Sequence, residues 1–128
     1  MREFARINRI INLLKNLWEI ENNLDLGYLL EKWVWSEYVR DIFFVEDTKT
    51  ESILNGALKS LEGKPQKQLN ETQLAILSQI TEKWPLLPDQ RLGQFLSNYA
   101  FGHFLSHPEN KMLQQEDNVI LSNLKNCN

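Results

Sequence analysis

Several common features are scarce in this sequence, and each scarcity excludes something. There is one cysteine, Cys127, in the polar tail Leu124-Lys-Asn-Cys-Asn128. No intrachain disulfide can form, and a thiol without a charged activation pattern is a weak nucleophile, so the expected setting is reducing and cytoplasmic. No stretch approaches the roughly 18 apolar residues a membrane span needs. The opening Met1-Arg-Glu-Phe-Ala-Arg6 leads into a segment broken by Arg9, Asn12 and Lys15, which lacks the apolar core of a secretory signal. An excess of positive charge is also missing: the formal net charge is −3. A general nucleic-acid binder gains affinity by neutralising phosphates with Lys and Arg, so this balance argues against one. The five glycines form no phosphate-cradling loop.

What is present is ordinary globular composition, 42% apolar and 24% charged over 128 residues, and an internal repeat. Trp18 and, seven intervening residues on, Leu26-Gly27 recur as Trp84 and Leu92-Gly93. At the same offset Ile10 matches Ile76, Leu14 matches Ile80, Leu30 matches Leu96, Trp33 matches Tyr99 and Trp35 matches Phe101. Glu46-Asp47 corresponds to Glu116-Asp117 once four extra residues are allowed in the second copy. Self-similarity of this kind reads as stacked copies of one supersecondary unit.

The periodicity is helical. Residues 4–18 carry Ile7, Ile10, Ile11, Leu14, Leu17 and Trp18 on one face. After the turn-prone Glu21-Asn22-Asn23, with Asn23 as cap, a second helix is expected from Leu24 to Tyr38. Asp41 to Asp47 interrupts the pattern with an apolar run, read as a short extended segment at 42–45. Thr48-x-x-Glu51 reads as a capping box for a third helix bearing Ile53, Leu54, Ala57, Leu58 and Leu61. In the second copy Asn70-x-x-Gln73 is a capping box, with Leu74, Leu77, Ile80 and Trp84 facing inward. Pro85 and Pro88 stop that helix, Asp89 is a cap, and the next helix is expected from Gln90 to about Leu105. His107 to Asn110 reads as a loop, and a last helix starts at Glu116-Asp117. The expected fold is all-α, with two three-helix repeats (1–62 and 70–128, linker 63–69) packed into one pseudo-symmetric domain.

The segment Trp84-Pro-Leu-Leu-Pro-Asp89-Gln-Arg91-Leu-Gly-Gln94-Phe-Leu-Ser-Asn98 resembles the signature of short, uncharacterised bacterial and phage proteins. In that signature a helix ending in Trp is followed by Pro-Asp-x-Arg-Leu-Gly-Gln-Leu-x-x-Asn and then by an aromatic run before Glu-Asp. The first copy keeps Trp18, Leu26-Gly27 and Ile42-Phe43-Phe44-Val45-Glu46-Asp47, but has Asp25, Tyr28 and Lys32 where the second has Arg91, Gln94 and Asn98. The second copy lacks the aromatic run. The resemblance covers nearly the whole chain and implies a tandem helical fold without an associated chemistry.

Catalysis finds no support in the residues. The Glu-Asp pairs precede helical patterns, where acids cap N–H groups, and no nucleophile accompanies them. His103 and His107 have the spacing of a metal-binding pair, but Phe104 stands where a metalloprotease motif has Glu, and Pro108 interrupts the helix, so neither metal nor cofactor is expected. Arg2, Arg6 and Arg9 form a stripe expected to pair locally, through Glu3 or the acidic second half. Gly27 and Gly93, unfavourable inside helices, are expected where another element packs closely. Trp33 and Trp35, two apart, cannot share a helical face, so one of them should meet the other module or a partner.

The function expected from these features is a non-enzymatic protein-interaction module, of the immunity or adaptor kind, bacterial or phage in origin. Its partner is an unidentified protein, a homodimer being compatible and a membrane not. The alternative is a DNA-associated helix-turn-helix regulator reading bases with Gln90, Arg91, Gln94 and Asn98. The expected interaction surface is a solvent-accessible polar strip of Arg91, Gln94 and Asn98, with Trp35 as its aromatic anchor.

Overall fold

A computed structural model of the chain describes residues 4–36, 42–87, 89–101 and 115–126. These residues form six α-helices and, among them, no strand: α1 Phe4–Ile20, α2 Leu26–Trp33, α3 Asp47–Ser60, α4 Glu71–Lys83, α5 Leu92–Tyr99 and α6 Asp117–Asn126. Single 3₁₀ turns cover Ile42–Phe44 and Trp84–Leu86. No helix among the described residues is long and apolar enough to cross a membrane.

Helix α1 buries the expected face, Ile7, Ile10, Ile11, Leu14, Leu17 and Trp18. It lies between α3 on one side and α4 on the other, while α6 packs on α4 and α5 on the turn at Ile42–Phe44. The core runs through these contacts, with Trp18, Trp35, Trp84, Phe95 and Phe101 its largest fully buried side chains. Each indole that ends a long helix is satisfied by the connection after it. Trp18 Nε1 donates to the Leu24 carbonyl at 2.7 Å, and Trp84 Nε1 donates to the Gln90 carbonyl at 2.8 Å. A buried indole N–H left unpaired would be costly, so these bonds fix where the chain turns.

The second helices are shorter than periodicity predicts. Helix α2 ends at Trp33 because the Leu30 carbonyl accepts both Val34 N–H (3.0 Å) and Trp35 N–H (2.7 Å); the Leu96 carbonyl ends α5 likewise, accepting Ala100 N–H (2.9 Å) and Phe101 N–H (2.8 Å). Once the helix has stopped, residues two apart are no longer forced to diverge. Trp35 and Phe101 turn inward and are fully buried. The expected residues 37–38 of the second helix and 102–105 of the fifth lie outside the described residues, as do His103, His107 and Arg2.

Four local expectations are corrected. The apolar run at 42–45 holds a 3₁₀ turn, closed by Val45 N–H to the Ile42 carbonyl at 3.3 Å, and no strand among the described residues pairs with it. Helix α3 starts one residue before Thr48, with Glu46 as cap residue, so Thr48-x-x-Glu51 is not its capping box. Arg91, not Asp89, occupies the cap position of α5. The box at Asn70 does form: Asn70 Oδ1 accepts Gln73 N–H at 2.8 Å and Gln73 Oε1 accepts Asn70 N–H at 2.9 Å. Its Gln73 is buried and also donates to the Asn22 carbonyl, whereas Leu74, expected inward, is exposed. The segment 64–70 joining α3 to α4 has no regular structure but is fastened to α1, Lys67 N–H donating to the Glu19 carbonyl at 2.8 Å, and Leu69 is buried.

Candidate functional site

Two short helices, α2 and α5, begin without a side-chain cap from their own cap residues Asp25 and Arg91. The first N–H groups of a helix need an acceptor, and here the acceptor comes from far along the chain. Asp47, the first residue of α3 and 3% exposed, accepts Leu92 N–H at 2.9 Å. Asp117, the first residue of α6 and 9% exposed, accepts Leu26 N–H at 2.7 Å. The acids of both Glu-Asp pairs therefore do cap helices, as their position suggests, but each caps a helix in the other half of the chain.

The surroundings of the two caps differ. At α5, Arg91 turns its guanidinium onto the Phe43 carbonyl, donating from Nε at 3.1 Å and Nη2 at 3.0 Å, and lies 3.6 Å from the Glu46 carboxylate. Its own N–H donates to Gln94 Oε1 at 3.2 Å. Gly93 is in close contact as well: a Cβ built there would stand 1.8 Å from the Ile42 carbonyl oxygen. The expectation of a packing glycine holds at this position, and the neighbour is backbone. At α2 the equivalent of Arg91 is Asp25, whose carboxylate accepts Asp117 N–H at 3.3 Å. Burial pushes the Asp117 carboxyl up to about 6; the bond from Leu26 N–H opposes this, and the charge and hydrogen bond of Asp25 add to it.

The expected interaction strip does not form as a continuous exposed surface. Asn98 is exposed, but Arg91 and Gln94 are half-buried and engaged in the structure, so they are not free to read base edges. Trp35 is 0% exposed, with Nε1 3.4 Å from Thr50 Oγ1, and cannot be a surface anchor. Trp33 is half-buried, donating from Nε1 to Glu21 at 2.9 Å, with the Lys32 ammonium 5.3 Å above its ring and bonded to the same carboxylate. Within the arginine stripe, Glu51 of α3 takes Arg9 at 2.7 Å and Arg6 at 3.3 Å, while Arg2 and Glu3 lie outside the described residues. The hydrogen bond from Arg9 holds the Glu51 carboxyl below its ordinary value; slight desolvation opposes this and the charge of Arg6 assists. Among the described residues no three His, Cys, Asp or Glu side chains cluster to hold a metal.

The most exposed aromatic side chain among the described residues is Phe44, at 68%. It meets Phe43 edge-on, ring centroids 5.1 Å apart, on the 3₁₀ turn that Arg91 clamps. Both phenylalanines belong to the apolar run read above as a short extended segment, and the 3₁₀ turn that replaces it leaves Phe44 exposed. Comparison of the chain with protein-family models, with curated proteins and with solved structures returns no match.

Proposed function

We propose that the chain is a non-enzymatic protein-interaction module, of the immunity or adaptor kind, which docks a protein partner through the aromatic corner at Phe43 and Phe44. The observation that carries this reading is a phenylalanine 68% exposed beside a Phe43 carbonyl that accepts two Arg91 hydrogen bonds. An exposed apolar side chain costs solvation wherever it sits, and one fixed in place loses little conformational freedom on binding. Aromatic anchors in such settings carry much of the energy of protein interfaces. Arg91 and Glu46, both at the base of the corner, supply a polar rim.

The module is built of two diverged copies of one helical unit. In favour of this are the recurrence of the indole bond, the doubled acceptor at Leu30 and Leu96, and the distant Asp cap at the same relative positions in each half. The resemblance to short bacterial and phage proteins supports an origin there. The test is Phe44→Asp. It is expected to move stability by no more than about 0.5 kcal/mol, as exposed substitutions do, and to abolish retention of partner proteins from the source cell. Unchanged retention by the folded variant would sink the reading.

A further inference from the structure

The two carboxylates that meet at the start of α2 and α6 come from positions 92 apart in sequence. Asp117 accepts Leu26 N–H with Oδ1, and its own N–H is bound by Asp25 Oδ2, so backbone and side chain interlock in both directions. Charges on the packed elements do not relieve the pair. Just before α6, Glu116 is exposed, and on α6 Lys125 is exposed in the last turn; on α4, Glu71 and Glu82 are exposed, and Lys83 reaches the opposite end of α6, at the Leu124 carbonyl. In the 21–25 connection Glu21 is committed to Lys32 and Trp33. Among the described residues no cation forms an ion pair with Asp25 or Asp117.

We propose that Asp25 and Asp117 form a proton-operated latch, which tightens the junction of α2 with α6 when one proton is shared between the two carboxyls and loosens it when both are ionised. A protonated Asp117 keeps one oxygen for Leu26 N–H and presents an O–H to the Asp25 carboxylate, replacing a repulsion by a hydrogen bond. The second latch, at Asp47 and Leu92, has Arg91 where the first has Asp25, and is not operated in this way.

The sign follows from linkage. The folded-state value of Asp117, about 6, lies above the ordinary 3.8. The folded protein therefore binds the proton more tightly than the unfolded chain. This stabilisation is fully present below the ordinary value and is lost as pH rises through about 6.

Titration of the Asp117 carboxyl by carbon NMR tests this in the intact protein. The expected midpoint is about 6 in the wild type and moves toward the ordinary value in Asp25→Asn. Over the same interval the Leu26 amide should exchange more slowly as pH falls, after correction for intrinsic rates. Asp117→Asn supplies a permanent donor to Asp25 and a permanent acceptor for Leu26. At about pH 7.5 it should raise Tm by roughly 3 to 8 °C, the shift of a modest stabilisation in a domain this size, and Asp47→Asn should not. A wild-type midpoint near 4, or one unmoved by Asp25→Asn, would overturn the proposal whether or not Asp117→Asn folds.

Discussion

At Leu92 a buried acid caps a helix beside an arginine, and at Leu26 a buried acid caps a helix beside another acid. The backbone geometry at the two places is nearly the same: φ and ψ are −68° and 157° at Asp25, −70° and 160° at Arg91. One scaffold thus accepts opposite charges at the residue before the helix, because the first helical N–H is capped by a distant Asp and not by that side chain. What the exchange alters is the electrostatics of the cap and what the neighbouring side chain holds. Arg91 spends its donors on the Phe43 carbonyl and so fixes the exposed corner; Asp25 fixes the start of α6.

The sharpest way to break the comparison is at Gly93. Alanine there would drive a Cβ into the Ile42 carbonyl, and since both partners are backbone the turn itself must shift. Gly93→Ala is expected to cost about 3 kcal/mol or more in urea denaturation, the range of a substitution that overpacks a buried contact. Next is Asp47→Ala, which strands Leu92 N–H in a buried setting and should cost about 1 to 3 kcal/mol in the same measurement. Arg91→Ala should cost less, about 1 kcal/mol, because the Phe43 carbonyl is nearer water. It should also blunt the partner binding expected of Phe44, linking the latch at α5 to the aromatic corner. The smallest effect belongs to Arg9→Ala, within about 1 kcal/mol for a solvent-screened pair with Glu51. Glu51 also gives a pH signature opposite to that of Asp117. Its folded value is lowered from 4.5, so its contribution is present above that value and fades as pH falls below it. A stability profile should therefore rise from neutral pH toward about 5 and fall again in stronger acid.

Helix existence and the buried face of α1 were legible because apolar spacing at three and four residues is a local property. The Asn70 box was legible for the same reason, since both partners lie within one turn. Misreadings arose where a partner lies far away in sequence. Thr48-x-x-Glu51 fits the capping pattern, yet Glu51 is drawn to Arg9 and Arg6 on α1. Trp35 looked surplus because a continued helix would have carried it away from Trp33; the early stop of α2 at Trp33 removes that constraint, and Trp35 is buried. Arg91 and Gln94 differ from Asp25 and Tyr28 in the other copy, which suggested an exposed face. Divergence at those positions instead reflects different local jobs in nearly identical backbone. The distant caps themselves had one sequence signal, the Glu-Asp pair repeated in each half, but spacing cannot say which helix an acid will cap.

The crossed caps also have a temporal side. The amide of Leu26 waits for an acceptor 91 residues downstream, whereas Leu92 finds its own 45 residues upstream, already synthesised. As the chain leaves the ribosome, α5 can close onto a finished α3, while α2 stays unfinished at its first turn until residue 117 emerges. Closing so long a loop adds little to the equilibrium cost but places the contact late on the folding path. Helix α6 is therefore the one that completes α2, and a ribosome stalled before it would hold a nascent chain with an open helix end.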